Sequence, residues 1–162
     1  MKAINIHVFS LLKDNVQTMS DKDRVYFLMF DDMSIREHLY FNQKFYCIEG
    51  FEDFETHGKA STISNLALVF MLRGLYKMWK QPGAYYLNRR STKVEIFFLL
   101  NFLMEFLDTC PSAGLEVVST LCDMGVNSVK ALKQFGVSKK THFFRFLDQE
   151  ISARFEPPHL LK

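Results

Sequence analysis

Residues 25–35 read Val-Tyr-Phe-Leu-Met-Phe-Asp-Asp-Met-Ser-Ile, and the fold prediction starts from this stretch. Six consecutive apolar residues end at two carboxylates, Asp31 and Asp32. A short apolar run bounded by charge is typical of a strand buried on both faces of a sheet. Carboxylates that follow such a strand lie at a sheet edge where α/β proteins bind ligands, and there they hold metal ions or transfer protons. The alternative interpretation is an Asp that caps a following helix.

The composition predicts a single folded domain. The 162 residues suffice for a core, and hydrophobic residues make up 48% of the chain, which excludes disorder. A net charge of +2 is too small to indicate nucleic-acid binding by itself. Cys47, Cys110 and Cys122 lack metal-ligand spacing and indicate reduced thiols in an intracellular protein. We expect no membrane association, because no apolar run reaches the roughly 18 residues of a membrane span.

The front of the chain is predicted to be helical. Apolar residues recur with helical spacing across residues 4–19, and a charged turn at residues 20–24 leads into the first strand. We therefore divide the chain into an N-terminal helix and turn, residues 1–24, and one α/β domain, residues 25–162. This domain is expected to be incomplete at its C-terminus, because its last apolar residues would have no core to pack against.

Three consecutive strands are predicted to form an antiparallel meander. The second strand is residues 45–54, which are rich in aromatics and alternate loosely, and the third is residues 65–75. Residues 79–82 are expected to break the third strand, and residues 84–87 to resume pairing as a short edge segment. Between the first two strands, residues 34–39 are predicted as one or two helical turns or an irregular segment.

The second half alternates helices and strands. A largely apolar helix is predicted over residues 92–110, capped by Ser91 or Thr92 and ended by Pro111 and Gly114. The later elements are a fourth strand at residues 115–122, a short helix at residues 128–135, and possible strand pieces at residues 141–146 and 151–155.

This order of elements is that of a ribonuclease H-like fold, an α/β mixed sheet with three antiparallel strands, a crossover helix and parallel strands, here truncated. A right-handed crossover places the fourth strand parallel beside the first. Asp31 and Asp123 then occupy neighbouring strand ends, where two carboxylates can hold two divalent metal ions. Oxygen ligands of this kind select Mg²⁺ or Mn²⁺. A third carboxylate, from a later helix, is normally needed.

Several short segments together indicate a family. Residues 20–24 lead into Phe-Asp-Asp-Met-Ser-Ile at residues 30–35, and Trp-Lys-Gln-Pro stands at residues 79–82. Further matching segments follow the same order and extend the match over nearly the whole chain: residues 50–53, 67–75, 84–86, 122–125 with Asn127, and 157–162. The ordered set resembles the catalytic domain of the P element transposases, including those that carry a THAP zinc-finger domain.

The resemblance implies a nuclear, DDE-type DNA transposase that cuts transposon ends and joins the freed 3′-hydroxyl to target DNA. It implies that Asp31 and Asp123 are the first two catalytic residues and ligands of Mg²⁺ or Mn²⁺. The third residue of the family, a Glu, and the guanine-nucleotide (GTP) binding insertion lie beyond this chain, and the THAP finger is also absent from it. Asp32 stands where relatives usually have Glu, and Glu156 where they usually have Asp.

Basic residues supply the candidate DNA contacts, and two functions stay open. The chain is either the front part of a transposase core or a catalytically inactive, domesticated fragment that binds DNA or protein.

DNA binding is expected to be weak, non-specific and salt-sensitive. For residues 88–93 a solvated loop is the alternative to a DNA contact. The flank left by truncation predicts self-association. The candidate contacts are Arg89, Arg90, Lys93, Lys130, Lys133, Lys139 and Lys140.

Overall fold

The computed structural model describes residues 4–53, 59–89 and 94–156. A 3₁₀ turn, Asp21–Arg24, connects the first helix to the first strand. The helices are α1 (Ile6–Val16), α2 (Val94–Ser112) and α3 (Val126–Gln134). The strands are β1 (Val25–Ser34), β2 (Tyr40–Asn42), β3 (Cys47–Glu49), β4 (Phe51–Asp53), β5 (Lys59–Ile63), β6 (Leu66–Gly74), β7 (Lys80–Asn88), β8 (Glu116–Cys122), β9 (Phe143–Phe146) and β10 (Gln149–Phe155).

Strand β1 lies in the middle of a six-stranded mixed sheet with the order β7-β6-β1-β8-β10-β9. It pairs antiparallel with β6 and parallel with β8. Its alternate residues Tyr26, Leu28 and Phe30 are buried almost completely. The predicted ribonuclease H-like α/β sheet, with the fourth strand of the pattern parallel beside the first, is confirmed.

The second strand of the meander was predicted wrongly. Residues 45–53 do not enter the main sheet; they contribute β3 and β4 to two small two-stranded sheets, and residue 54 lies outside the described residues. The reason is that Gly50, with φ of 108°, interrupts the run, and Ile48 beside it is exposed. A central strand needs both faces buried, and this segment offers no such face. Residues 35–39 are irregular, which is one of the two alternatives predicted for that segment.

The third strand of the meander is β7, which the sequence prediction reduced to a short edge segment. The predicted break at residues 79–82 is wrong, because β7 begins at Lys80 and pairs along the length of β6. Pro82 is accommodated because β7 has only one main-sheet neighbour and because the β6–β7 register shifts between Phe70 and Met71. Proline is tolerated at such edge strands and bulges, since no ladder hydrogen bond is lost there.

One face of the sheet packs on α2 through a stack of aromatic rings. Phe70 stacks on Phe30 at 5.7 Å between ring centroids and on Phe106 of α2 at 5.5 Å. Phe9 of α1 meets Phe106 edge-on at 5.4 Å, so α1 shares the core of the sheet. The proposed division of the chain at residue 24 stays a prediction.

Helix α2 ends at Ser112, two residues later than predicted, and Pro111 lies inside its last turn. Proline has no N–H to donate to the carbonyl four residues before it, and its ring crowds that carbonyl, so the helix does not extend far beyond it. There the amide of Leu115 donates to the carbonyl of Cys110. The predicted start at residue 92 and the cap by residue 91 or 92 fall outside the described residues. The fourth strand, the short helix and the last two strands are confirmed, with ends that differ by at most two residues from the prediction.

The composition led to predictions about the cysteines and about membrane spans. The three thiols Cys47, Cys110 and Cys122 are free, and the last two are buried. In the part of the chain that the structure describes, no helix combines the length and apolarity that crossing a membrane requires.

The aromatic stack predicts a large loss of stability on Phe106→Ala. Phe106 is fully buried, so truncation removes both apolar contact and packing volume. We expect the free energy of unfolding to fall by about 3–5 kcal/mol. Phe97 lies on the same helix but is 57% exposed, and Phe97→Ala should cost less than about 1 kcal/mol. Urea denaturation of the two variants measures both values, and equal losses would contradict the packing described.

Candidate active site

The two predicted acidic residues each follow the last register pair of β1 and β8, although β1 continues to Ser34 and does not end at Asp31 as predicted. Phe30 of β1 is the register partner of Cys122 of β8, and the two strands run parallel. Asp31 and Asp123 each follow one residue later, Asp31 within β1 and Asp123 just beyond β8, so both lie where the pairing of β1 with β8 ends. Asp31 is exposed and Asp123 is half-buried. The structure thus brings together the pair that the sequence singled out, while their chemical role stays a prediction.

Asp31 and Asp32 point to opposite faces of the sheet. Successive residues of a strand point to opposite faces, so Asp31 leaves the sheet on the face opposite Phe30. The amide of Asp32 donates a hydrogen bond to Oδ1 of Asp31 at 2.8 Å. This contact fixes one oxygen of the Asp31 carboxylate beside the backbone of β1.

The carboxylate of Asp123 is held by the start of α3. The hydroxyl of Ser128 donates to Oδ1 of Asp123 at 3.0 Å. Gly125 lies so close that a β-carbon there would come within 2.8 Å of a carboxylate oxygen of Asp123. Position 125 therefore accepts glycine because any side chain would displace the carboxylate. The sequence analysis missed Ser128; the usable signal was a hydroxyl in the first turn of the helix that follows Asp123.

A third carboxylate belongs to the same edge. Strand β10 runs parallel to β8, with Phe155 as the register partner of Cys122. The next residue, Glu156, donates its amide to the carbonyl of Cys122 at 2.9 Å. The sequence marked Glu156 only as a departure from the family pattern. Asp31 within β1, Asp123 just after β8 and Glu156 just after β10 therefore lie at the same level of three adjacent strands.

The pKa of the buried Cys122 thiol is affected by the negative charge of this edge. Cys122 is 1% exposed, and burial raises the pKa of its thiol to about 12, with smaller contributions from the negative charges of Asp123, Asp31 and Glu156. All three carboxylates therefore lie close enough to act on one buried sulfur. Their accumulated negative charge makes this edge suitable for a cation.

The donor set fits a magnesium-type ion only in part. In residues 4–53, 59–89 and 94–156 no group of three His, Cys, Asp or Glu side chains is arranged to hold a metal ion. Mg²⁺, however, is commonly bound through one or two carboxylates, with waters and substrate phosphates as its other ligands. Asp31 and Asp123 are of the chemical type that such a partial ligand set requires.

The candidate DNA contacts differ in their surroundings. The guanidinium of Arg89 lies 3.4 Å from the carboxylate of Glu37 and also donates to the carbonyl of Ile63, so it connects neighbouring segments. Residues 90 and 93 lie outside the described residues. Lys130 and Lys133 are exposed on α3, directly after the Asp123 loop. Lys139 and Lys140 are exposed beyond that helix. Of the described candidate DNA contacts, Lys130 and Lys133 are therefore the ones nearest to Asp123 in sequence.

The raised pKa of Cys122 predicts a loss of stability at alkaline pH. An unfolded thiol releases its proton above about pH 8.5, whereas the folded thiol keeps it to a pKa of about 12. The unfolded state then binds fewer protons, so the free energy of unfolding falls as pH rises from about 9 to 12. We expect Cys122→Ala to make this fall shallower, as measured by urea denaturation across that range. Cys47→Ala, at a half-buried thiol, serves as the control, and identical slopes in all three proteins would contradict the assignment.

Comparison with known proteins agrees with the fold. The family model for the TNP-like, RNase H N-terminal domain matches residues 2–136. No curated protein gives a significant match. The solved Drosophila P element transposase strand transfer complex is similar with a TM-score of 0.71 and 21% sequence identity; the match covers 93% of this chain and 31% of that chain. The predicted resemblance to the P element transposases is confirmed. The chain belongs to the TNP-like RNase H N-terminal domain family.

Proposed function

We propose that this chain is the front part of the catalytic core of a DDE-type DNA transposase, in which Asp31 and Asp123 bind divalent metal ions. The observation that carries the proposal is the parallel pairing of Phe30 with Cys122, because it sets the two carboxylates side by side. The whole transposition reaction is proposed for a longer protein, since this chain spans 31% of the similar transposase. A nuclear location belongs to the same proposal, because transposon ends and target DNA are its substrates.

The proposed roles divide the site into ligands, a positioning group and DNA contacts. When bound, Mg²⁺ or Mn²⁺ supplies Lewis-acid activation of an attacking oxygen and charge stabilisation of a leaving oxygen. Asp31 and Asp123 hold the cation at the edge of the sheet. Ser128 orients the carboxylate of Asp123 through its hydrogen bond. Lys130 and Lys133 contact DNA phosphates beside the site.

A second candidate function is DNA or protein binding without cleavage. The observation in its favour is that the described residues offer no three-ligand metal group. Two carboxylates give weak metal affinity. Both candidates share the DNA-binding lysines and differ only in the chemistry at Asp31 and Asp123.

The metal-binding proposal predicts that Asp31→Asn and Asp123→Asn each weaken Mn²⁺ binding by about tenfold or more. Each substitution removes a negative ligand at an edge where no other described group completes a three-ligand site. Electron paramagnetic resonance of free Mn²⁺ measures the affinity. The rise in Tm with added Mg²⁺ gives a second readout, because ligands that bind only the folded state stabilise it.

Asp32→Asn is the matched control for this experiment. It neutralises an exposed carboxylate one residue away that points to the other face of the strand, so metal affinity should change little. Metal-dependent DNA cleavage that Asp31→Asn abolishes would favour the transposase core. Metal binding that neither Asp31→Asn nor Asp123→Asn alters would overturn the proposed site.

The DNA-contact proposal predicts a salt-dependent loss of affinity on Lys130→Ala with Lys133→Ala. Each lysine that contacts a phosphate contributes about 1 to the slope of log affinity against log salt. We expect the double variant to bind duplex DNA more weakly and with a smaller slope, as fluorescence anisotropy measures. Lys13→Ala is the control, because Lys13 lies one turn before Val16, which packs near Gly114 at the opposite end of the sheet. Unchanged affinity and slope in the double variant would refute these contacts.

A further inference from the structure

Residues 73–80, called here the basic turn, connect the end of β6 to the start of β7 and read Arg-Gly-Leu-Tyr-Lys-Met-Trp-Lys. They include three cations, Arg73, Lys77 and Lys80, and no acidic residue, whereas the whole chain has a net charge of only +2. All three cations are exposed. Positive charge concentrated in this way attracts polyanions.

Large apolar side chains are exposed on the same turn. Tyr76 is 64% exposed and Met78 is 98% exposed. Trp79 follows them and is half-buried. The basic turn therefore combines an exposed aromatic ring with nearby cations, which is the composition of surfaces that bind single-stranded nucleic acid.

The basic turn is held in one backbone conformation. The amide of Gly74 donates to the carbonyl of Trp79 at 2.8 Å. A β-carbon at Gly74 would lie 2.6 Å from the carbonyl oxygen of Lys77, so the chain passes too close here for a side chain. The ring of Trp79 packs against the buried Tyr26 of β1, with 5.2 Å between ring centroids. The backbone that carries Tyr76 is thus preorganised, and less conformational entropy is lost when a ligand binds.

One ion pair reduces the positive charge of the basic turn only in part. The ammonium of Lys77 lies 3.5 Å from the carboxylate of Asp23, and the Lys77 side chain stays 61% exposed. Surface pairs of this kind are weak and are screened by salt, so Lys77 can exchange Asp23 for a phosphate. The 3₁₀ turn Asp21–Arg24 that contains Asp23 is itself neutral, since it holds two acidic and two basic residues.

The other two cations lie side by side. Arg73 of β6 is the register partner of Lys80 of β7, so their side chains point to the same face of the sheet. Like charges directly opposite each other on two strands are destabilising. An anion bound between Arg73 and Lys80 removes this repulsion, and a phosphate group is an anion of suitable size and charge.

The partner that fits this combination is a DNA strand with unpaired bases. Its phosphates bind the cations, and the face of an unpaired base stacks on an exposed aromatic ring. The basic turn is also distant from the acidic edge. The amide of Leu75 donates to the carbonyl of Val25, and Asp31 lies six residues further along β1. At about 3.3 Å per residue, roughly 20 Å separates the two places.

We propose that the basic turn is a second DNA-binding surface, in which a base of single-stranded DNA stacks on Tyr76 and neighbouring phosphates bind Arg73, Lys77 and Lys80. The choice of DNA among polyanions rests on the proposed function, whereas the contacts themselves need no metal ion. Each phosphate contributes about 0.7 to the slope of log affinity against log salt for single strands, so three contacts give a slope of about 2.

The first test measures the affinity for a single-stranded oligonucleotide by fluorescence anisotropy, with EDTA present. We expect Tyr76→Ala to weaken binding by about tenfold, because the stacking of one base is lost. Tyr76→Phe keeps the ring and should bind as tightly as the unmodified chain. Phe97→Ala removes a ring that is 57% exposed on α2, and it should also leave the affinity unchanged.

The second test separates the charges from the ring. Lys77→Ala with Lys80→Ala should reduce the slope of log affinity against log salt by about 1.4, since two phosphate contacts are lost. Tyr76→Ala should leave the slope unchanged, because stacking releases no counterions. The substituted side chains are exposed, and circular dichroism with Tm establishes that each variant is folded.

The third test locates the bound strand. Trp79 is the single tryptophan of the chain and lies in the basic turn, so DNA bound there should quench its fluorescence. The quenching should persist in the double variant Lys130→Ala with Lys133→Ala, which removes the contacts proposed at α3. Bound DNA that leaves the emission of Trp79 unchanged would contradict the proposal.

Two further results would overturn it: Tyr76→Ala that binds as tightly as the unmodified chain, or Tyr76→Phe that binds as weakly as Tyr76→Ala. Vesicles of phosphatidylserine and phosphatidylcholine test the alternative partner. If the vesicles bind through Tyr76 and the oligonucleotide does not, the basic turn is a lipid-binding surface and the proposal fails.

The outcomes also distinguish this surface from the function proposed above. Binding that is lost only in the Lys130 and Lys133 double variant would refute the basic turn and keep the α3 contacts. Mn²⁺ binding that is independent of Asp31 and Asp123 would refute the metal site, and it would leave these measurements unaffected because they are made in EDTA.

Discussion

The rest of the structure depends on the pairing of β1 along both of its edges. The strand is antiparallel to β6 on one side and parallel to β8 on the other, and its buried residues meet the aromatic stack on α2. Phe30 is the residue at which these constraints coincide: it pairs with Cys122, pairs with Phe70 and stacks on the ring of Phe70. Because the strand cannot slide without breaking all of these contacts, the residue after Phe30 is fixed in space.

This pairing brings acidic residues together at one end of the sheet. Strands β1, β8 and β10 run in the same direction, and their register places Phe30, Cys122 and Phe155 side by side. Asp31, Asp123 and Glu156 each come one residue later, and their negative charge acts on the buried thiol of Cys122. The same edge also carries the first turn of α3 and its hydrogen bond to Asp123.

The errors in the sequence prediction have a common physical cause. Residues 45–54 have the aromatic content of a strand, and Pro82 is a residue that usually ends one. Local composition therefore predicted a second strand at residues 45–54 and a break at residues 79–82, and both predictions are wrong. What decides membership of the sheet is burial on both faces and an available neighbour. Gly50 interrupts the first segment, whereas the edge position of β7 and its bulge accommodate Pro82. Neither condition is visible in a window of adjacent residues, because both depend on which strand lies alongside.

The sequence alone determined the central strand, the buried helix α2, the parallel placement of the fourth predicted strand beside the first, and Asp31 and Asp123 as the acidic pair. It could do so because an apolar run that stops at a carboxylate is a local signal, and because crossover handedness restricts how such runs assemble. The tertiary structure alone decided that β7 completes the meander, that Ser128 holds Asp123 and that Glu156 joins the acidic edge. It also decided that residues 39–49 stand apart from the sheet. These features are set by strand register and by contacts between residues distant in the chain, which no local pattern of side chains encodes.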